Sequence, residues 1–139
     1  MRARLDRLAA RIGPRGLVLL ALAILDEVYA YGLLNPPHPL TPVYAWPGDV
    51  APLWVWAILW AAVGAAGRVS AFLQRDVAGF LAALMLKFGW SVLLAGGWAG
   101  GGIDRGYVNV AVWLAFAVAV FVVMWKVGQG EPPGARGQR

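Results

Sequence analysis

The chain reads as an all-α integral membrane protein, a four-helix bundle preceded by a short amphipathic helix at the membrane interface. Three observations predict this. Of its 139 residues, 60% are hydrophobic and 14% are charged, with a mean hydropathy of +0.65. Ordinary soluble domains are about 45–50% apolar and about 25% charged. Four apolar runs recur along the chain, at residues 16–34, 50–66, 77–98 and 107–127. Each is close to the ~20 residues a helix needs to cross ~30 Å of hydrocarbon. Finally, Lys and Arg gather at the flanks of alternate ends of these runs, the pattern that sets the direction of membrane helices.

The first 15 residues form a basic amphipathic segment. In "RARLDRLAARI", Leu5, Leu8 and Ile12 share one face and Arg4, Arg7 and Arg11 a neighbouring one. Such a helix lies on a membrane surface among anionic lipids, here those of the inner leaflet. Gly13-Pro14 then breaks it before the first crossing. The runs themselves must be helical, because helix satisfies its own backbone in lipid and four runs of this spacing fit no barrel.

The first connection, "NPPHPLTPVYAWPGD", holds Pro36, Pro37, Pro39, Pro42 and Pro47. It is predicted to form a stiff, extended cap with no regular helix. Its His38 has no nearby partner in sequence and reads as solvent-exposed, with no metal. The glycines of "AGGWAGGGIDRG" read as a flexible outer loop. The tail from residue 128 to 139, "GQGEPPGARGQR", has the composition of a disordered segment.

Charge gives the direction. Arg2, Arg4, Arg7, Arg11 and Arg15 precede the first run, Arg68 and Arg75 fall in the second connection, and Lys126, Arg136 and Arg139 close the chain. These lie on one side, against Arg105 alone on the other. Both termini are expected in the cytoplasm and the protein in the cytoplasmic (inner) membrane. Tyr44, Trp46, Trp54, Trp56, Trp98 and Tyr107 cluster at the expected outer boundary and Trp125 at the inner one. Rings with a polar edge prefer that level, so most of the tryptophans read as anchors.

Three charges stand apart. Asp26 and Glu27, in "ALAILDEVYAYG", and Lys87, in "LMLKFGW", fall inside apolar runs. Asp26 lies ~14 Å and Lys87 ~15 Å along their helices from the inner end, at 1.5 Å per residue. An unpaired charge at that depth is costly. Lys87 is therefore expected to meet Asp26 or Glu27 between the first and third crossings. Adjacent helix positions point ~100° apart, so the second acid needs another solution. Tyr31, Tyr29, water or a proton are the candidates. Residues 1–30 also read as a signal peptide ending at Ala30. The long basic start, and Tyr31, Leu33 and Leu34 beyond it, favour a retained crossing.

Small residues mark candidate packing faces. Ala111, Ala115 and Ala119 repeat every four residues on the last run, and Ala61, Ala65 and Gly64 do similar work on the second. This spacing serves packing within the chain and homo-oligomer formation equally well. Catalytic patterns are missing. No Ser/His/Asp set, phosphate-binding glycine loop or metal-ligand spacing occurs, and there is no cysteine. No enzyme activity, cofactor or metal is expected. The net charge of +5 is explained by topology, with no aromatic and basic surface for nucleic acid.

Two resemblances bear on function. "AILDEV" resembles the first helix of the small multidrug resistance transporters, with Glu27 at the position of their proton-coupling glutamate. It covers six residues, and the lysine those transporters carry soon after is replaced here by "YAYGLLNPP". More of the chain is similar to small four-helix membrane proteins of actinobacterial phages and prophages. The matching features are the basic start, "LWVWAILWAAVGAAGR", and the opening of the third run at Asp76, Gly79 and Phe80. Some of those proteins lie near lysis genes and are called holin-like. This likeness implies a phage-type membrane protein acting by assembly. The alternatives are a non-enzymatic membrane accessory protein and a small proton-coupled transporter.

Overall fold

The computed structural model describes the backbone of residues 2–73 and 76–128, and the side chains of residues 13–73 and 76–125. The described residues form five helices and no strand: α1 (Arg2–Leu34), α2 (Pro42–Val50), α3 (Leu53–Phe72), α4 (Val77–Ala99) and α5 (Gly106–Gly128). Four stretches are long and apolar enough to span a membrane: Gly13–Leu34, Leu53–Phe72, Val77–Ala99 and Gly106–Trp125. The amphipathic faces assigned to residues 2–12 and the tail beyond 128 lie outside the described side chains and residues.

α1 is two helices joined at Gly13, whose φ of 71° and ψ of 172° are non-helical. Only glycine adopts such a conformation without strain, and Pro14 then starts the crossing with its φ already set. The second crossing begins and ends later than expected. Ala51 and Pro52 are extended, with φ/ψ of −156°/152° and −51°/136°. A residue before proline is pushed out of the helical region, so the helix waits until Leu53. At the other end Gly67 and Arg68 stay helical because both engage α1: a Cβ on Gly67 would lie 3.3 Å from the Ala23 Cβ, and Arg68 pairs with Glu27.

The proline-rich connection is not wholly extended. It contains α2, nine residues long. Pro42 occupies the first turn, where its missing N–H would have no partner in any case. Pro47 sits further in and gives up one helical bond, but its carbonyl accepts from Ala51 N–H (3.0 Å) and from the Trp56 indole (2.9 Å). The glycine segment after α4 is equally ordered. Gly102 and Ile103 donate to the Gly97 carbonyl at 2.8 and 3.2 Å, and Ile103 is buried. Gly97 and Gly102 form a seat for Trp46, whose ring leaves no room for a Cβ on Gly97 (2.7 Å).

The bundle packs α1 chiefly on α3, α3 on α4, and α4 on α5, with α1 and α4 facing each other diagonally. Its core has two apolar clusters. Leu19, Ala71, Phe80 and Val120 fill the end nearer the N-terminus. Ala30, Leu33, Ala57, Trp60, Leu86, Trp90, Leu94, Ile103 and Trp113 fill the other end, under α2. Between them lies a layer of charge.

Candidate functional site: a charged layer between α1, α3 and α4

The burial of α1 follows a strict helical stripe: Leu19, Ala23, Asp26, Ala30 and Leu33 are all buried. Steps of three and four residues keep one face toward the core. Asp26 falls on that stripe, and Glu27, one position on, is turned to its flank. On α4 the buried stripe includes Phe80, Ala83, Lys87, Trp90 and Leu94. The side chains of Asp26 and Lys87 therefore enter the core from opposite corners.

They meet there. Lys87 Nζ lies 2.6 Å from Asp26 Oδ1, with the two side chains 0% and 1% exposed. The ammonium is also 5.5 Å from the centroid of the Trp60 ring, within the range of a cation–π attraction. Ser91 Oγ donates to the Lys87 carbonyl at 2.9 Å. A single charge at the bilayer centre costs about 2.5–3.5 kcal/mol on insertion scales, so neutralisation between helices is the condition for either residue to sit there.

Glu27 takes a different partner. Its carboxylate pairs with the Arg68 guanidinium of α3. Of the options open from sequence, neither Tyr29 nor Tyr31 is its partner. The signal for Arg68 was available: apolar "VSAF" follows it, so the helical run can continue past the arginine. Arg68 belongs to α3 and not to the second connection. A third pair lies toward the N-terminal end, where Arg15 Nε is 2.7 Å from Asp76 Oδ2. It is a charge contact without hydrogen-bond alignment, since Arg15 Nε has no aligned acceptor. The Arg15 guanidinium also stands 5.7 Å from the Phe80 ring centroid.

Above the charged layer is an aromatic plug. The Tyr29 ring lies 4.4 Å from Trp60, 4.9 Å from Trp113 and 5.6 Å from Trp90, centroid to centroid. Trp90 Nε1 donates to the Tyr29 hydroxyl at 3.0 Å. Trp60 Nε1 is buried without an acceptor. The three tryptophans of this group are not among the rings assigned to a membrane boundary from sequence. Trp60, Trp90 and Trp113 are core residues, placed by helical spacing on inward faces. Trp46 is also partly buried, donating to the Leu93 carbonyl at 3.0 Å. Trp54, Trp98 and Trp125 are exposed, in keeping with a boundary role.

The alanine candidates are not packed inside the bundle. Ala61 and Ala65 of α3, and Ala111, Ala115 and Ala119 of α5, are all exposed. Close approach within the chain is made by Gly64, named with those alanines from sequence, and by Gly67. A Cβ on Gly64 would lie 2.9 Å from Glu27 Cγ and 3.0 Å from the Ala23 carbonyl oxygen. His38 is exposed, and no cluster of His, Cys, Asp or Glu among the described residues fits a metal ion.

The fold and the charged layer define the class: a multi-pass helical protein with four membrane-length helices held by interhelical ion pairs. Comparison with protein-family models, curated proteins and solved structures yields no match. The layer's chemistry is that of a clamp. Asp26 and Glu27 are each committed to a cation on a different helix, so α1 is tied to both α3 and α4.

Proposed function

We propose that the protein is a non-enzymatic, phage-type polytopic protein of the cytoplasmic membrane that acts by assembly of folded bundles, in the manner of holin-like proteins. The observation that carries this is where the small residues lie. The bundle closes on its own glycines, tryptophans and ion pairs, and leaves the alanine ladders of α3 and α5 on its outside. Exposed small residues at helical spacing suit helix association in lipid, where no hydrophobic drive operates. Four membrane-length helices make up most of the chain. The basic N-terminal segment suits attachment to anionic lipid on the cytoplasmic side.

Inducible expression in a bacterial host tests this. Growth should halt abruptly, the membrane potential collapse, and a co-expressed endolysin be released. A second reading, a membrane accessory protein, is favoured by the sealed Lys87–Asp26 pair, which suits a permanent bundle. Tolerance of high membrane levels with the potential intact selects it over lysis. Orientation is tested separately with Thr41→Cys and Gln129→Cys in a chain without native thiols. An impermeant reagent should label position 41 in intact cells and spare 129; labelling of 129 reverses the assignment.

A further inference from the structure

We propose that two copies join through the face of α1 and α3 that carries Glu27 and Arg68, each Arg68 also reaching Glu27 of the second copy. This rests on the assembly reading and names the surface it uses. The argument begins with depth. Arg68 is four residues from the end of α3 at Phe72, or ~6 Å of rise. From there an arginine could extend toward the headgroups, as long cations near helix ends do. The structure has it pointing the other way. Side chains lean toward the N-terminus of their own helix. Because α1 and α3 are antiparallel, Arg68 and Glu27 lean toward each other and meet within the span.

The pair is nevertheless not inside the bundle. The Arg68 side chain is 51% exposed and that of Glu27 29%. Charged groups in a membrane face protein or water, not lipid tails. This face is therefore turned away from lipid tails, and a protein surface of opposite charge pattern is a cover that suits it. The surface itself suggests which protein. It bears one acid and one base in contact, hence at one depth. A two-fold axis along the membrane normal would bring the Arg68 of each copy to the Glu27 of the other, an isologous contact. Four charges would then neutralise one another, each with two opposite partners. Ala65 and Ala61 lie three and seven residues before Arg68 on the same side of α3 and are exposed. They let the two backbones approach closely enough for the charges to reach across. The outer face of α5 has alanines too, but its described residues carry no charge that lipid would leave unmatched.

Single-cysteine variants of the full chain, in bacterial membranes, test the proposal with a short bifunctional thiol reagent. Ala65→Cys should give a cross-linked dimer and Ala115→Cys a monomer. Adding Arg68→Glu to Ala65→Cys should abolish the dimer, because two acids then face two acids. Adding Glu27→Arg as well should restore it. A melting curve of the detergent-solubilised protein establishes that each variant is folded, and the restored double exchange guards against loss by misfolding. Cross-linking through Ala115→Cys with none through Ala65→Cys would overturn this interface while leaving assembly standing. No cross-link at either position would overturn both. Persistence of the Ala65→Cys dimer with Arg68→Glu would remove the ion pair from the interface.

Discussion

Asp26 and Glu27 are neighbours in sequence and carry the same charge, yet their environments diverge. The Asp26–Lys87 pair is sealed, at 1% and 0% exposure, between two apolar clusters and beneath four aromatic rings. The Glu27–Arg68 pair sits on the flank of α1 and α3, at 29% and 51%. One step of ~100° around the helix separates a core position from a rim position. The difference concerns what happens when a partner is lost. Lys87 has nowhere to go, because its helix position points into the bundle centre. Arg68, near the end of α3, can turn back toward the headgroups. Buried pairs are thus costly to break and cheap to replace entirely, whereas rim pairs yield little either way.

The largest expected effect is at the sealed pair. Lys87→Leu should destabilise the solubilised bundle by about 3–5 kcal/mol, the usual cost of stranding one member of a buried pair. Asp26→Leu with Lys87→Leu should recover most of that loss, since two apolar side chains replace two compensated charges. Unfolding free energies for the single and double variants give the coupling directly. Simple additivity would mean the two groups act independently and would sink the clamp.

The next effect sharpens the contrast from the backbone side. Gly64→Ala would place a Cβ 2.9 Å from Glu27 Cγ and 3.0 Å from the Ala23 carbonyl oxygen. Overpacking of this kind costs about 1–3 kcal/mol. Gly89→Ala is its control, because a Cβ there meets nothing within 4 Å. It should be neutral, or stabilising by up to about 1 kcal/mol from helix propensity alone. Equal losses at both positions in a thermal unfolding series would show that the α1–α3 approach is not what limits Gly64.

The smallest effect should come from the rim. Glu27→Gln or Arg68→Gln is expected to cost about 1 kcal/mol or less in the isolated bundle, as for other exposed pairs. The same changes should weaken the association of copies far more than they weaken folding. A loss as large as that of Lys87→Leu in the monomer would erase the distinction between the two pairs.

Much of the architecture was legible along the chain. Four crossings follow from run length and composition, because bilayer thickness dictates helix length whatever the neighbours do. The break at Gly13-Pro14 follows from local backbone chemistry. That Lys87 needs an intramembrane acid follows from the cost of a lone charge in hydrocarbon. Other features were set by contacts no local pattern reveals. α2 forms among prolines because Pro47's carbonyl finds the Trp56 indole. α3 runs on to Phe72 because Gly67 and Arg68 have partners on α1. Trp60, Trp90 and Trp113 became core because their faces turn inward once α1, α3, α4 and α5 take their places around Tyr29. The choice between Asp26 and Glu27 was equally tertiary. Both satisfy the energetic demand of Lys87, and sequence spacing treats them alike. Only the rotation of α1 about its axis, set by its close glycine contact with α3, decides which carboxylate faces the core and which is left at the rim.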